Sequence, residues 1–124
     1  MNYKSTVIGF DDHIEELVLL DVKGLYFTCF ASVCPYKVEL FGCYEVEFYV
    51  NIFDDIRFEQ LGDGVQESIQ PIEGFRYLIT GKLQDGVVFS NGIKFKEDSD
   101  FADLKHLEGH TLRINVDRLD VHFL

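Results

Sequence analysis

Residues 75–96 read FRYLITGKLQDGVVFSNGIKFK, and this stretch constrains the fold more than any other. Asp85-Gly86 and Asn91-Gly92 are dipeptides that tolerate positive φ at both positions, as a two-residue type I′ hairpin turn requires. Apolar and polar residues alternate on either side of each turn. Two such turns place Leu83 opposite Val88 and Val88 opposite Phe95. The result is a three-stranded antiparallel meander with an apolar face that other elements must cover.

A second alternating run, YEVEFYVNIFDD, spans residues 44–55. Successive strand residues point to opposite faces. Tyr44, Val46, Phe48, Val50 and Ile52 therefore share an inward face, and Glu45, Glu47, Tyr49, Asn51 and Phe53 share the other. Asp54 and Asp55 follow. Upstream, Val18–Val22 is an apolar, branched run, and Leu25, Phe27, Cys29, Ala31 and Val33 form one face of a further strand. Tyr36–Phe41 reads as extended. Ile56, Phe58 and Leu61 suggest a short continuation before the Gly62-Asp63-Gly64 turn.

One segment, Ser99–His110, carries a clear helical pattern. Phe101, Leu104 and Leu107 supply a stripe, Asp100 is the expected cap with Asp103 three residues on, and Gly109 is a natural stop. Asp11–Leu20 leaves helix and strand in competition. After the helix, His110, Leu112, Ile114 and Val116 share one face, then Leu119, Val121 and Phe123 do. The phase slips across Asp117-Arg118, which calls for a bulge or tight turn.

The expected fold is mainly β: a small antiparallel β-barrel or strongly bent sheet, with one short helix near residues 100–108. The order of meander, helix and two closing strands is similar to that of an oligonucleotide/oligosaccharide-binding barrel, although the N-terminal half holds too many strands for the five-stranded version. The 124 residues fit one domain, 1–124, large enough for a core without disulfides.

Eleven basic residues against 22 acidic ones give a formal net charge of −11. The excess is heavier at the front, with 11 acids and 4 bases in the first 62 residues and 11 and 7 in the rest. Such a chain repels nucleic acids and anionic membranes and attracts cationic surfaces. Lys94 and Lys96 are followed at once by Glu97, Asp98 and Asp100, which makes a poor track for a phosphate backbone. Acidic residues at 11–16 interrupt any export signal, and no run of 18 apolar residues predicts a membrane span. With three cysteines, Cys29, Cys34 and Cys43, free thiols and a cytoplasmic location are expected.

Motifs for chemistry are sparse. His106 and His110 have i, i+4 spacing, but Gly109 ends the helix between them and no Glu follows His106 as in zinc proteases. The cysteines lack paired CxxC spacing. No metal or cofactor is expected. Asp117, Arg118, Asp120 and His122 form the densest polar cluster. Asp120 and His122 point the same way along a strand, which suits either an acid–base pair or a wet face bridged by Arg118.

Small size, acidity and aromatic richness favour a protein-binding module without enzymatic activity. Its most concrete form is an inhibitor or immunity-type protein that blocks a basic toxin or nuclease. Glu45, Glu47, Asp54 and Asp55 are the expected contact carboxylates, with Tyr49 as an aromatic anchor. Two alternatives stand beside it: a β-barrel that holds a small molecule or sugar, and an enzyme that uses Asp120 and His122. Tyr49 and Phe53, both outward, suit a second copy of the chain as well as a foreign partner.

Overall fold

The computed structural model describes residues 2–124. Strands β1 (Tyr3–Phe10), β2 (Leu17–Val22), β3 (Leu25–Val33), β4 (Cys43–Asn51), β5 (Arg57–Leu61) and β6 (Ser68–Pro71) come first. The meander β7 (Tyr77–Gln84), β8 (Val87–Ser90) and β9 (Ile93–Lys96) follows. A 3-10 helix (Ala102–Leu107) then leads to β10 (Thr111–Val116) and β11 (Arg118–Phe123). The fold is mainly β, as the alternation predicts.

Both hairpins form as their turn residues dictate. Asp85 and Gly86 take φ of 55° and 75°, and Asn91 and Gly92 take 52° and 79°. Leu83 pairs with Val88, and Val88 with Phe95. At Gly81 the β7 and β8 backbones come so close that a Cβ would overlap the Phe89 carbonyl oxygen.

All eleven strands belong to one sheet. Strands β1, β2, β3, β11 and β4 close into a ring, because one edge of β4 serves two neighbours. Its first half, Cys43–Val46, pairs antiparallel with β1, whereas Phe48 and Tyr49 run parallel to β9. The sheet leaves the ring there and continues through β9, β8, β7 and β10 to β5, with β6 also on β7. The architecture is a strongly bent sheet with a five-strand ring, not a clean barrel.

The ring is filled. Val7, Leu20, Phe48, Leu119 and Val121 are fully buried. Phe48 lies 5.3 Å from Phe27 and 6.0 Å from Phe95, measured between ring centres. Each buried side chain of this size stabilises by about 1.5–3 kcal/mol. Two buried tyrosines join the cluster and keep their hydroxyls satisfied: Lys94 N donates to Tyr3 Oη at 2.8 Å, and Thr28 N to Tyr77 Oη at 2.9 Å.

Four local expectations change. Asp11–Leu20 resolves in favour of strand: β2 begins at Leu17, and Asp11 Oδ1 accepts from His13 N and Ile14 N in a side-chain turn that competes with helix. Tyr36–Phe41 forms no strand; Tyr36 instead stacks on Tyr44 and donates its hydroxyl to the Leu124 carbonyl. The helix is a single 3-10 segment. Its N-cap is Phe101 in the left-handed region, without a side-chain cap, so Asp100 does not cap it. β1 and β6 are strands that the pattern did not single out.

Candidate functional site

The bend between β10 and β11 positions the site. Asp117, where the hydrophobic phase slips, is the one residue between those strands. Its amide donates to the Asn51 carbonyl at 2.9 Å, and its Oδ2 accepts from Phe53 N at 2.7 Å. These bonds clamp the end of β4 to the bend and fix where Asp54 and Asp55 emerge.

The segment that leads into the 3-10 helix closes over that point. Asp100 and Phe101 both take left-handed backbone angles, φ 56° and 54°. Such angles strain a bulky residue like Phe101, and only its surroundings can hold it there. Glu97 does so: Ser99 N, Ser99 Oγ and Phe101 N donate to its Oε1 at 3.1, 2.6 and 2.9 Å. The buried ring of Phe101 completes the clamp. Gly86 makes the approach feasible, since a Cβ there would lie 3.1 Å from Asp100 Cβ.

Two open grooves flank this segment and share Ser99. The larger, about 620 Å3, runs between the Asp85-Gly86 turn and the 3-10 helix, with Asp85, Asp100 and Glu108 along it. Glu108 accepts a hydrogen bond from Asp85 N and ties the two walls together. The smaller, about 100 Å3, is mainly polar, with Asp54, Asp55, Glu97 and Asp103 along it, Ile52 and Ile56 half-buried at its side and Phe101 and Leu104 buried beneath. Among the described residues that line the two grooves, Lys105 is the sole cation. Folding thus joins two acidic groups that lie more than forty residues apart in sequence.

The outward face of β4 and β11 carries a second polar array. Glu47 is bonded by Lys96 Nζ at 3.1 Å and by the Tyr49 hydroxyl at 3.3 Å. The Lys96 bond holds the Glu47 carboxyl below its usual range, against the opposing effect of burial. Tyr49 stacks on His122 with ring centres 4.0 Å apart, and burial raises its hydroxyl above the ordinary tyrosine value. The buried Asp120 carboxylate takes a two-toothed grip from Arg118, at 2.8 and 3.4 Å, and a bond from Asn51 at 3.2 Å. Among the described residues, no hydrogen bond joins Asp120 to His122.

The five contact residues expected from sequence therefore separate. Asp54 and Asp55 lie in the smaller groove. Glu47 and Tyr49 sit in the β4–β11 array. Glu45, exposed near the start of β4, lies six residues, or about 20 Å at strand rise, from the Asn51 end. The Asp11–Glu16 turn is elsewhere, tied to β3 by the Ala31 N to Glu16 carbonyl bond. Sequence reasoning flagged Glu97 only as one of a charged group; its capping role depends on left-handed turns that local pattern does not announce. Phe53, 64% exposed beside Asp54, is more accessible than the half-buried Tyr49.

Among the described residues no group of three His, Cys, Asp or Glu side chains is placed to hold a metal ion, and no helix is long and apolar enough to cross a membrane. No curated protein matches the chain. The family model described as "Uncharacterised conserved protein UCP019853" matches residues 1–124, and the chain belongs to that family.

Proposed function

We propose that the chain is a protein-binding module without enzymatic activity that receives a basic partner in the two grooves around its 3-10 helix. In its most specific form it is an inhibitor or immunity-type protein that blocks the cationic cleft of a toxin or nuclease. One observation carries the reading: the groove carboxylates are unneutralised. The ion pairs among the described residues are Arg76–Glu73, Lys96–Glu47, Arg113–Glu59 and Arg118–Asp120, and none uses a carboxylate of either groove. Unpaired carboxylates in a concave site focus a negative field and speed capture of a cationic surface. The smaller groove also matches the charge of lysine and arginine side chains, since no cation lines it among the described residues. Its carboxylates suit a charged tip, and half-buried Ile52 and Ile56 leave a small apolar contact beside them. Exposed Phe53 beside Asp54 is the aromatic anchor of this reading.

The test separates docking from bulk acidity. One bait carries Asp54→Asn, Asp55→Asn and Asp103→Asn. A second carries Asp12→Asn, Glu15→Gln and Glu16→Gln, with the same net charge. Capture from cells of origin should recover a basic protein with wild-type and second baits, with retention falling as salt rises. The first bait should lose it. Equal loss from both baits, or a captured partner that is acidic, overturns the proposal.

A further inference from the structure

Strand β5 lies at the end of the sheet. It pairs in full with β10, Arg57 to Asn115 through Leu61 to Thr111, and no described strand lies along its other edge. Four of its five residues are exposed, and Phe58 keeps 42% of its surface open while facing the same side as buried Ile114. An open edge presents unpaired backbone N–H and C=O groups to any extended chain. Proteins blunt such edges by keeping them very short, or with charged side chains, proline, bulges or a covering element, and β5 is short and carries Arg57 and Glu59. β6, also paired on one side alone, ends in Pro71. β5 has neither proline nor a register shift.

We infer that the β5 edge is a self-association surface, at which two copies of this chain pair antiparallel about a two-fold axis through Phe58. The register follows from side-chain parity and charge. In a continuous sheet, residues opposite one another must point to the same face, so the axis passes through a residue and not between two. An axis at Arg57 sets arginine against arginine, and an axis at Glu59 sets glutamate against glutamate; both are unfavourable. An axis at Phe58 places Arg57 opposite Glu59 of the other copy twice and stacks the two Phe58 rings on the core-facing side. Arg57 has no carboxylate partner among the described residues, whereas Glu59, its side chain 64% exposed, holds Arg113 at 3.3 Å and keeps accessible surface for a second cation. This surface borders the smaller groove at Ile56 but uses none of the groove carboxylates, and it stands whether or not the grooves bind a partner.

Sedimentation velocity of the full chain at about 0.15 M salt, where charges are screened beyond ~8 Å, tests the register. Wild type should sediment as a monomer–dimer equilibrium between 10 and 500 µM, roughly the range of a weak contact. Arg57→Glu alone and Glu59→Arg alone should each be monomeric, with circular dichroism and melting that report an intact fold. Mixed one to one, they should form a heterodimer, because one edge then carries two acids and the other two bases. A wild type that stays monomeric throughout overturns the inference. So do single variants that dimerise as well as wild type, or a mixture that fails to associate when the wild type does.

Discussion

Removing the Glu97 carboxylate should loosen the segment that forms both grooves. Phe101 holds φ 54°, a conformation that costs a residue with a side chain roughly 1–2 kcal/mol. Three donors converge on Glu97 Oε1 to keep it there. In Glu97→Ala the exposed Ser99 groups turn to water at little cost. The Phe101 amide, next to a ring only 2% exposed, loses a charged acceptor, a bond worth about 1.5–3 kcal/mol. The expected loss is about 2 kcal/mol for Glu97→Ala. Glu97→Gln keeps an acceptor oxygen without the charge and should lose about half as much. At this chain length each kcal/mol moves Tm by roughly 3–6 °C. Urea and thermal unfolding followed by circular dichroism measure both variants, and amide exchange should quicken first at Phe101 and Leu104. Equal losses from Ala and Gln, or a loss below about 0.5 kcal/mol, would refute the carboxylate's role.

Thiol titration of the native protein should find Cys34 and Cys43 reactive and Cys29 silent until denaturant is added. Burial, reinforced by the nearby Asp120 carboxylate, pushes the Cys29 thiol up, out of the reactive range. Gly81→Ala should cost about 3 kcal/mol in urea unfolding, because the new Cβ meets the Phe89 backbone and not a movable side chain. Lys96→Gln should cost under about 1 kcal/mol at neutral pH, as a partly exposed pair is weak. The Glu47 carboxyl is depressed, so its contribution is present above the usual carboxylate range and fades as pH falls through the folded value. The Lys96 ammonium is raised by the same bond, so its contribution persists below the usual lysine range and fades as pH rises through the folded value. The difference between wild type and Lys96→Gln is therefore flat through neutrality and shrinks at both extremes. A difference that grows in acid contradicts this assignment.

The parts of the fold that were legible in the sequence are those that local chemistry decides. Asp85-Gly86 and Asn91-Gly92 set their own backbone angles, and the phase slip at Asp117 marks a bend that no long-range contact is needed to see. The inward set Val46, Phe48 and Val50 is buried because period-2 alternation has one solution. What was not legible depends on distant partners. β4 shares one edge between β1 and β9, so strand order cannot be read from either sequence alone. The 3-10 helix has a helical stripe, but Glu97 and the left-handed pair Asp100–Phe101 override the expected Asp100 cap. For the same reason the acidic site was half legible. Asp54 and Asp55 were singled out, whereas Glu97 stood only among the acids after Lys96 and Asp103 only beside the expected helix cap. Their meeting depends on Asp117 reaching Asn51 and Phe53 across more than sixty residues.

Paramagnetic relaxation of backbone amides by a cationic and an anionic nitroxide, compared residue by residue, reads the near-surface potential directly. The most negative values should fall at Asp54–Asp55, at Asp85–Gly86 and from Ser99 to Glu108. A potential spread evenly over the surface, or deepest at the Asp11–Glu16 turn, would mean that folding builds no anionic groove, and the proposed docking surface would fall with it.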